Sequence, residues 1–513
     1  MSGYVPNPPK NYRYEEAKPV DIHAQRWAEY EKHGKEPAPE PERIGIALRI
    51  GVFFDGTGNN ANNTAAGLLC GAQHPIAPED IPASCMPYMK DPDSSYGAGP
   101  TNVKKLFSLY EEIKVAEGDG PLNRVSRALY MDGIGTQSDE KDSVVGSGTG
   151  RGETGVVGRV QASFTQINRI IEDALKENSN SEIASLTFDT FGFSRGAAAA
   201  RHFSNEIVRG KQGPLGILLN SNARGFGRSF DGQYGNGINM GFIGLFDTVP
   251  SIAGFTNFGR VKSSIAPGVK LYLDRRFFKD VVHLGARDEC RANFALSRVK
   301  PDHPEYSFPG VHSDIGGSYL DDVEECVLVS PMQTLAVSIY TDVSTTSIYH
   351  DAARVKSEWV ARGWPAHLLE IVTPASVELP REFQDRLSPA QKRVFAALQL
   401  KRPVSGKLSR VYLRVMYQLA REKGVRFIDM PDDGEYSVPE ELQSLCERFV
   451  AGYYKTTPEE EALLKLKYIH TSANWNHPLG RRDGSGIDAV YINAPTEDGI
   501  RVQHPHVPDW KLW

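Results

Sequence analysis

The chain has 513 residues, 40% hydrophobic and 24% charged, with a formal net charge of −6. This is the make-up of a globular protein with a large core, and it argues against a nucleic-acid binder or a surface drawn to anionic membranes by bulk charge. Five scattered cysteines (Cys70, Cys85, Cys290, Cys326 and Cys446), with no CxxC pair, point to neither a disulfide framework nor a zinc site, and to a reducing compartment.

Residues 1–43 are rich in Pro, Glu, Lys and Tyr with little periodicity, so an extended arm is expected there. The opening MSGYVPNPPKNYRYEE lacks a basic region followed by an apolar run. No apolar run approaches the ~20 residues that span a bilayer. The expectation is a protein made in the cytoplasm without a signal peptide or anchor.

A catalytic core with insertions is expected over 44–373. IALRIGVFFDGTGNN (46–60) reads as a strand covered on both faces, ending in a loop of turn formers after Asp55. Residues 64–100 wander through Pro and Gly and read as an insertion at the mouth of the sheet. The spacing in TNVKKLFSLYEEIK (101–114) predicts a helix capped by Thr101. SRALYMDGIGT (126–136) reads as a strand, VVGSGTGRGETGVVG (144–158) as a glycine-rich loop, and RVQASFTQINRIIEDALKENS (159–179) as a helix. EIASLTFDTFGF (182–193), GFIGLFDTV (241–249) and DVVHLGA (280–286) read as further strands. This alternation predicts an α/β fold, a mostly parallel sheet with helices on both faces. Three stretches between 374 and 467, beginning at PAQKRVFAALQL, read as helices and predict a helical subdomain, a possible cap, before a C-terminal return to the core over 468–513. Leu442, Leu445, Cys446 and Phe449 fall on one face of the last of these.

The chemistry centres on FDTFGFSRGAAAAR (188–201). Gly192-Phe193-Ser194-Arg195-Gly196 fits the G-x-S-x-G nucleophile elbow, in the strand–turn–helix setting that the motif requires. The small flanking residues permit a strained turn, and the turn aims the Ser194 hydroxyl above the sheet. The amide of Arg195 then points at the oxygen of an attacked acyl group, and the helix N-terminus favours the developing charge. A serine needs an oriented base. Asp247, at the end of the next strand, is the expected acid. His312, on the loop YSFPGVHSDIGGSY (306–319), is the expected base, with Asp314 as its second partner or a turn residue. His470 is the runner-up, while His283 reads as a core histidine. The second oxyanion donor is expected in FFDGTGNN, through the amide of Gly56 or Thr57. That loop lacks the partner carboxylate of a D-x-D-G-T phosphatase, because Phe53 stands two before Asp55. Gly150-x-Gly152-x-x-Gly155 follows a polar stretch and does not read as a dinucleotide site. Neither cofactor nor metal is expected.

FFDGTGNN, YMDGIGT, GFSRGAAAAR, LFDTVPS and FPGVHSDIGGSY, in this order, resemble one bacterial family: α/β-hydrolases that include the first class of type VI secretion lipase effectors. The resemblance covers about residues 44–320 and resumes at YIHTSANWN. It implies a phospholipase A, leaning to A1, that acts on membrane phospholipids from the periplasm of a target bacterium. It also implies a spike protein of the VgrG type as carrier and an immunity protein in the producing cell. The family's nucleophile, acid and base fall on Ser194, Asp247 and His312. The alternatives are a soluble esterase acting on a small ester and a non-catalytic spike-bound adaptor. Residues 66–89 and 251–261 read as ordinary core packing, with the wall of an acyl groove as the alternative.

Overall fold

The computed structural model describes residues 43–118, 122–142, 155–250, 268–380, 390–476, 478–479, 490–491 and 493–508. The arm expected over 1–43 (save its last residue), the glycine-rich loop up to residue 154 and the groove wall at 251–261 lie outside the described residues.

The nearly unbroken apolar run at 46–54 becomes the middle of the main sheet, as its burial on both faces requires. β1 (Ile44–Phe54) is flanked by β3 (Asn123–Met131) and β4 (Ser181–Phe193), both parallel to it. The order continues in parallel through β6 (Gly237–Phe246), β7 (Val281–Ala286) and β9 (Glu305–Phe308). β2 (Ile113–Glu117) closes the other edge antiparallel, and the short β5 (Gln233–Tyr234) pairs with β6. The single charge in the β1 run has a partner. Arg49 makes a two-pronged contact with Asp189 of β4, at 2.6 and 2.8 Å.

Helices cover both faces, as expected of an α/β fold. α3 (Val156–Glu177), α4 (Arg195–Val208) and α5 (Leu215–Ser221) lie on one side. There Val160, Ile167, Phe203 and Leu219 share a core with Ile50, Val52 and Phe188 of the sheet. α2 (Asn102–Leu109) lies on the other, where Leu106 packs with Phe53, Phe191 and Phe246. Thr101 caps α2 by accepting the Lys104 amide. The helix stops at Leu109, earlier than its spacing suggested, because Ile113 is taken into β2 against β3.

Two expectations are corrected. Cys70 and Cys85 form a disulfide, their Cα atoms 5.7 Å apart, so the reading of unpaired cysteines in a reducing setting fails for this pair. The chain between them doubles back after α1 (Ala61–Cys70), and Cys70, Ala72, Met89 and Tyr96 make a small core of their own. The helical subdomain is the second correction. PAQKRVFAALQL is not a helix but the start of β14 (Gln391–Val404), the spine of a second, antiparallel sheet. It pairs with β10 (Val323–Leu328), β11 (Gln333–Ser338), β12 (Leu369–Val372) and β13 (Val377–Glu378). Every second residue from Val394 to Val404 is buried, the period of a strand. Ala and Leu are good helix formers, but the partner strands decide the matter. α7 (Ser347–Ala361) packs on this sheet, with Val355 and Trp359 against Leu398 and Leu400. α8 (Ser409–Glu422) and α9 (Glu440–Val450) are helices as expected, and α9 buries Leu442, Leu445, Cys446 and Phe449. Both belong to the second face of the main sheet, where Val415 and Met416 of α8 share a core with Phe191 and Phe242. α10 (Pro458–Lys467) follows, and β15 (Gln503–His504) returns to pair in parallel with β8 (Leu296–Ser297).

Candidate active site

β4 hands over to α4 through Ser194, whose backbone sits at φ 59 and ψ −124, a conformation costly for a residue with a side chain. The end of the neighbouring strand holds it there. The Ser194 amide donates to Phe246 O at 3.0 Å, and Val249 N donates to Ser194 O at 3.3 Å. The small residues are required by contact. A Cβ on Gly192 would lie 2.3 Å from Gly196 O, and one on Gly196 would lie 2.2 Å from Phe54 O. Ala197 to Ala200 are all buried beneath the turn. The elbow therefore presses against the loop after β1, at the carboxyl edge of the sheet, where open α/β sheets bind their ligands.

Asp247 lies at the exit of β6, also at positive φ (42) and fully buried. Its carboxylate is saturated. Oδ1 accepts the Ala286 amide at 2.8 Å and Arg501 Nη1 at 2.7 Å; Oδ2 accepts Arg501 Nη2 at 2.8 Å and faces His312 Nδ1 at 2.5 Å. Burial opposes the charge, but Arg501 and His312 outweigh it and hold the carboxyl far below the usual range. An ionised Asp247 places the proton on His312 Nδ1 and leaves Nε2 as the basic nitrogen.

His312 opens the short helix α6 (His312–Gly316), and its amide donates to Glu289 Oε2 at 3.2 Å. Its imidazole lies between Phe294 and Phe193, the residue before the nucleophile, with ring centres 4.9 and 4.6 Å away. Burial lowers the His312 pKa, the Asp247 contact raises it, and Arg291 and Arg501 lower it further, so the base lies below the ordinary histidine value. Ser194, Asp247 and His312 thus stand at or just beyond the exits of β4, β6 and β9.

The oxyanion expectation is narrowed. The Gly56 amide donates to Asp55 Oδ1 at 2.7 Å, so it is already committed. Asp55 also receives Thr101 Oγ1 at 2.9 Å and Tyr130 Oη at 2.5 Å, while burial pushes its carboxyl up to about 6. Thr57 remains, and its Oγ1 is buried without a hydrogen-bond partner. Arg195 opens α4, so its amide has no carbonyl one turn back to donate to. Its guanidinium is fully buried with all three nitrogens unpartnered, and burial lowers it to about 9.

The remaining histidines separate cleanly. His283 is fully buried, accepts the Thr248 amide at 3.0 Å and faces Glu305 at 3.1 Å, a satisfied core residue. Asp314 serves His470 rather than His312. Its Oδ1 lies 2.7 Å from His470 Nδ1, and Tyr319 stacks on that ring at 3.6 Å. Sequence reasoning missed Arg501 and Glu289. Arg501 lies 254 positions from Asp247 in an unremarkable stretch, with no local signal to find it.

Residues 219–339 match the family model for the catalytic domain of Tle1-like phospholipase effectors of the type VI secretion system. The chain is similar to the solved structure of the Tle1 effector bound to the VgrG spike from the type VI secretion system. Identity is 29% over 92% of this chain and 97% of that one, with a TM-score of 0.69. An uncharacterized protein from Pseudomonas aeruginosa matches at 18% identity and TM-score 0.35, over 90% of this chain and 57% of that one. No curated protein sequence matches. The lipase-effector family and the α/β-hydrolase-like fold anticipated from the motifs are the ones found. The Tle1-like match takes in Asp247 and His312 but begins after Ser194, so the nucleophile rests on the elbow's geometry.

Proposed function

We propose that this protein is a type VI secretion effector and a serine phospholipase A that cleaves glycerophospholipid ester bonds, with the first acyl position as its preferred point of attack. The observation that carries the reading is a serine held at strained angles whose neighbour, Phe193, lies against the ring of a histidine locked to a buried carboxylate. His312 Nε2 takes the proton from Ser194 Oγ as the oxygen attacks the ester carbonyl. The oxyanion rests on the amides of Arg195 and Thr57. Asp247 holds the ring and offsets the charge that His312 gains. His312 then protonates the departing lysolipid, and a water repeats the sequence to free the fatty acid from Ser194.

The likeness to a spike-bound Tle1 supports a VgrG-type spike as carrier. The proposal extends to action on the target cell's membrane from the periplasm and to an immunity protein guarding the producer. The test is hydrolysis of phospholipids labelled separately at each acyl chain, by wild type and Ser194→Ala. Release from the first position by wild type alone, with at least a 1,000-fold loss in the variant, is expected. Equal release by Ser194→Ala refutes the nucleophile, and cleavage of short soluble esters alone favours a soluble esterase.

A further inference from the structure

The loop that carries Thr57 runs directly into an unusual stretch. From Gly56 to Pro78 there is no Asp, Glu, Lys or Arg, in a chain where 24% of residues are charged. α1 lies inside this stretch, yet it is not a core helix. Leu68 and Leu69 are 50% and 61% exposed, and Met86 is 49% exposed. By contrast α7, also largely exposed, carries Asp351, Arg354, Lys356 and Glu358. Single exposed leucines are ordinary, whereas an exposed apolar cluster on an uncharged element calls for a partner.

The Cys70–Cys85 disulfide, its Cα atoms 5.7 Å apart, brings the backbone next to Leu69 beside the backbone next to Met86, so one exposed region carries all three. The region also has a fixed place relative to the chemistry. Asn60 caps α1 by accepting the amides of Asn62 and Asn63, and Asn63 Nδ2 donates to Ser95 Oγ and Gln137 O. Gly67 lies so close to Tyr96 O that a Cβ would come within 1.9 Å. α1 is therefore pinned over the exits of β1 and β3, on the same edge as Ser194. At 1.5 Å per residue, Leu68 stands about 12 Å along the helix from Asn60.

We propose that Leu68, Leu69 and Met86 dock the mouth of the active site onto the apolar layer of a lipid bilayer. The occupant follows from continuity with the site, since a phospholipase must draw its substrate from the layer facing its mouth; to that extent the inference rests on the proposed function. The lack of charge from Gly56 to Pro78, around Leu68 and Leu69, fits insertion below the headgroups, where a carboxylate or ammonium would resist burial. The chain's net charge of −6 makes attraction to anionic lipids a poor alternative.

The test compares full-length Ser194→Ala protein, which leaves vesicles intact, with the same protein carrying Leu68→Ser, Leu69→Ser and Met86→Ser. Co-sedimentation uses neutral phosphatidylcholine vesicles and phosphatidylethanolamine–phosphatidylglycerol vesicles, each at low and high salt. The surface changes are expected to weaken binding to both at least tenfold, with little salt dependence. In the Ser194 background, they should leave hydrolysis of a monomeric short-chain ester unchanged. Unaltered vesicle binding overturns the docking surface and leaves the phospholipase reading intact. Intact vesicle binding with lost spike binding overturns it in favour of a protein partner. Lost vesicle binding in a protein whose wild type frees no fatty acid keeps the docking surface and refutes the phospholipase reading.

Discussion

Arg501 reaches Asp247, the proposed acid, with both ends of its guanidinium and satisfies half of the carboxylate's four contacts. The consequence falls on His312, which must be neutral to take the Ser194 proton. Activity is therefore lost as pH falls through the His312 pKa. The charged groups acting on the His312 ring are Asp247 at the exit of β6, Arg501 from the C-terminal segment and Arg291 from the chain after β7, while Glu289 accepts the His312 backbone amide. Burial and the two arginines depress the pKa, while Asp247 raises it. Arg501→Gln removes one cation and leaves more of the Asp247 charge for His312, and both changes raise the pKa. The acid limb of kcat/KM is thus expected to move to higher pH. Arg501→Lys should restore the limb but not the full rate, because an ammonium cannot grip both oxygens. A pH–rate profile of the three proteins decides it; an unmoved limb in Arg501→Gln shows that Arg501 only supports the fold. This residue marks the edge of what sequence can tell. The elbow was legible because its constraint is local: Gly192, Ser194 and Gly196 lie within one turn, and their small size has a single steric cause. The Arg501–Asp247 pair is joined only by the fold, and no local pattern records it.

At the scale of elements, α8 and β14 separate what pattern reveals from what pairing decides. The 3.6-residue period of α8 and α9 was legible, and so was the unbroken apolar run of β1, because each reports its own burial. What α8 covers was not legible, since an apolar face does not name the surface it meets. Met416 is fully buried in the core that includes Phe191, and its sulfur would stand 3.0 Å from a Cβ on Gly244 of β6. A cap and a core helix predict opposite outcomes for Met416→Ala. A cap residue would change the preference for micellar over monomeric ester at constant stability. A core residue should cost about 2–5 kcal/mol of stability and leave that preference alone. We expect the second outcome. Urea unfolding and the ratio of rates on the two substrates check it, and a changed ratio with an unchanged midpoint would restore the cap.

At the scale of the whole molecule, the candidate active site is braced by residues 493–508. Ser194, Asp247 and His312 come from one run of strands, but the segment over 493–508 returns to lock them. β15 pairs with β8, and Arg501 Nε donates to Phe294 O at 2.7 Å beside the His312 ring. His506 Nε2 accepts the Leu273 amide at 3.0 Å, which ties the segment to the chain before β7. Ending the chain at residue 492 removes all these ties at once, whereas Arg501→Gln removes only the guanidinium. If the segment acts solely through Arg501, the two proteins should react alike with a fluorophosphonate that labels activated serines. If it also holds the Phe294 wall and β8, the truncated chain should label far more slowly than Arg501→Gln, on the order of tenfold or more, given the sensitivity of such chemistry to small misplacements. Three anchors at separate points favour the second result. A synthetic peptide of residues 493–508 should then recover part of the labelling when added to the truncated protein. Equal labelling of the two proteins, with no gain from the peptide, would reduce the segment's role to its single arginine.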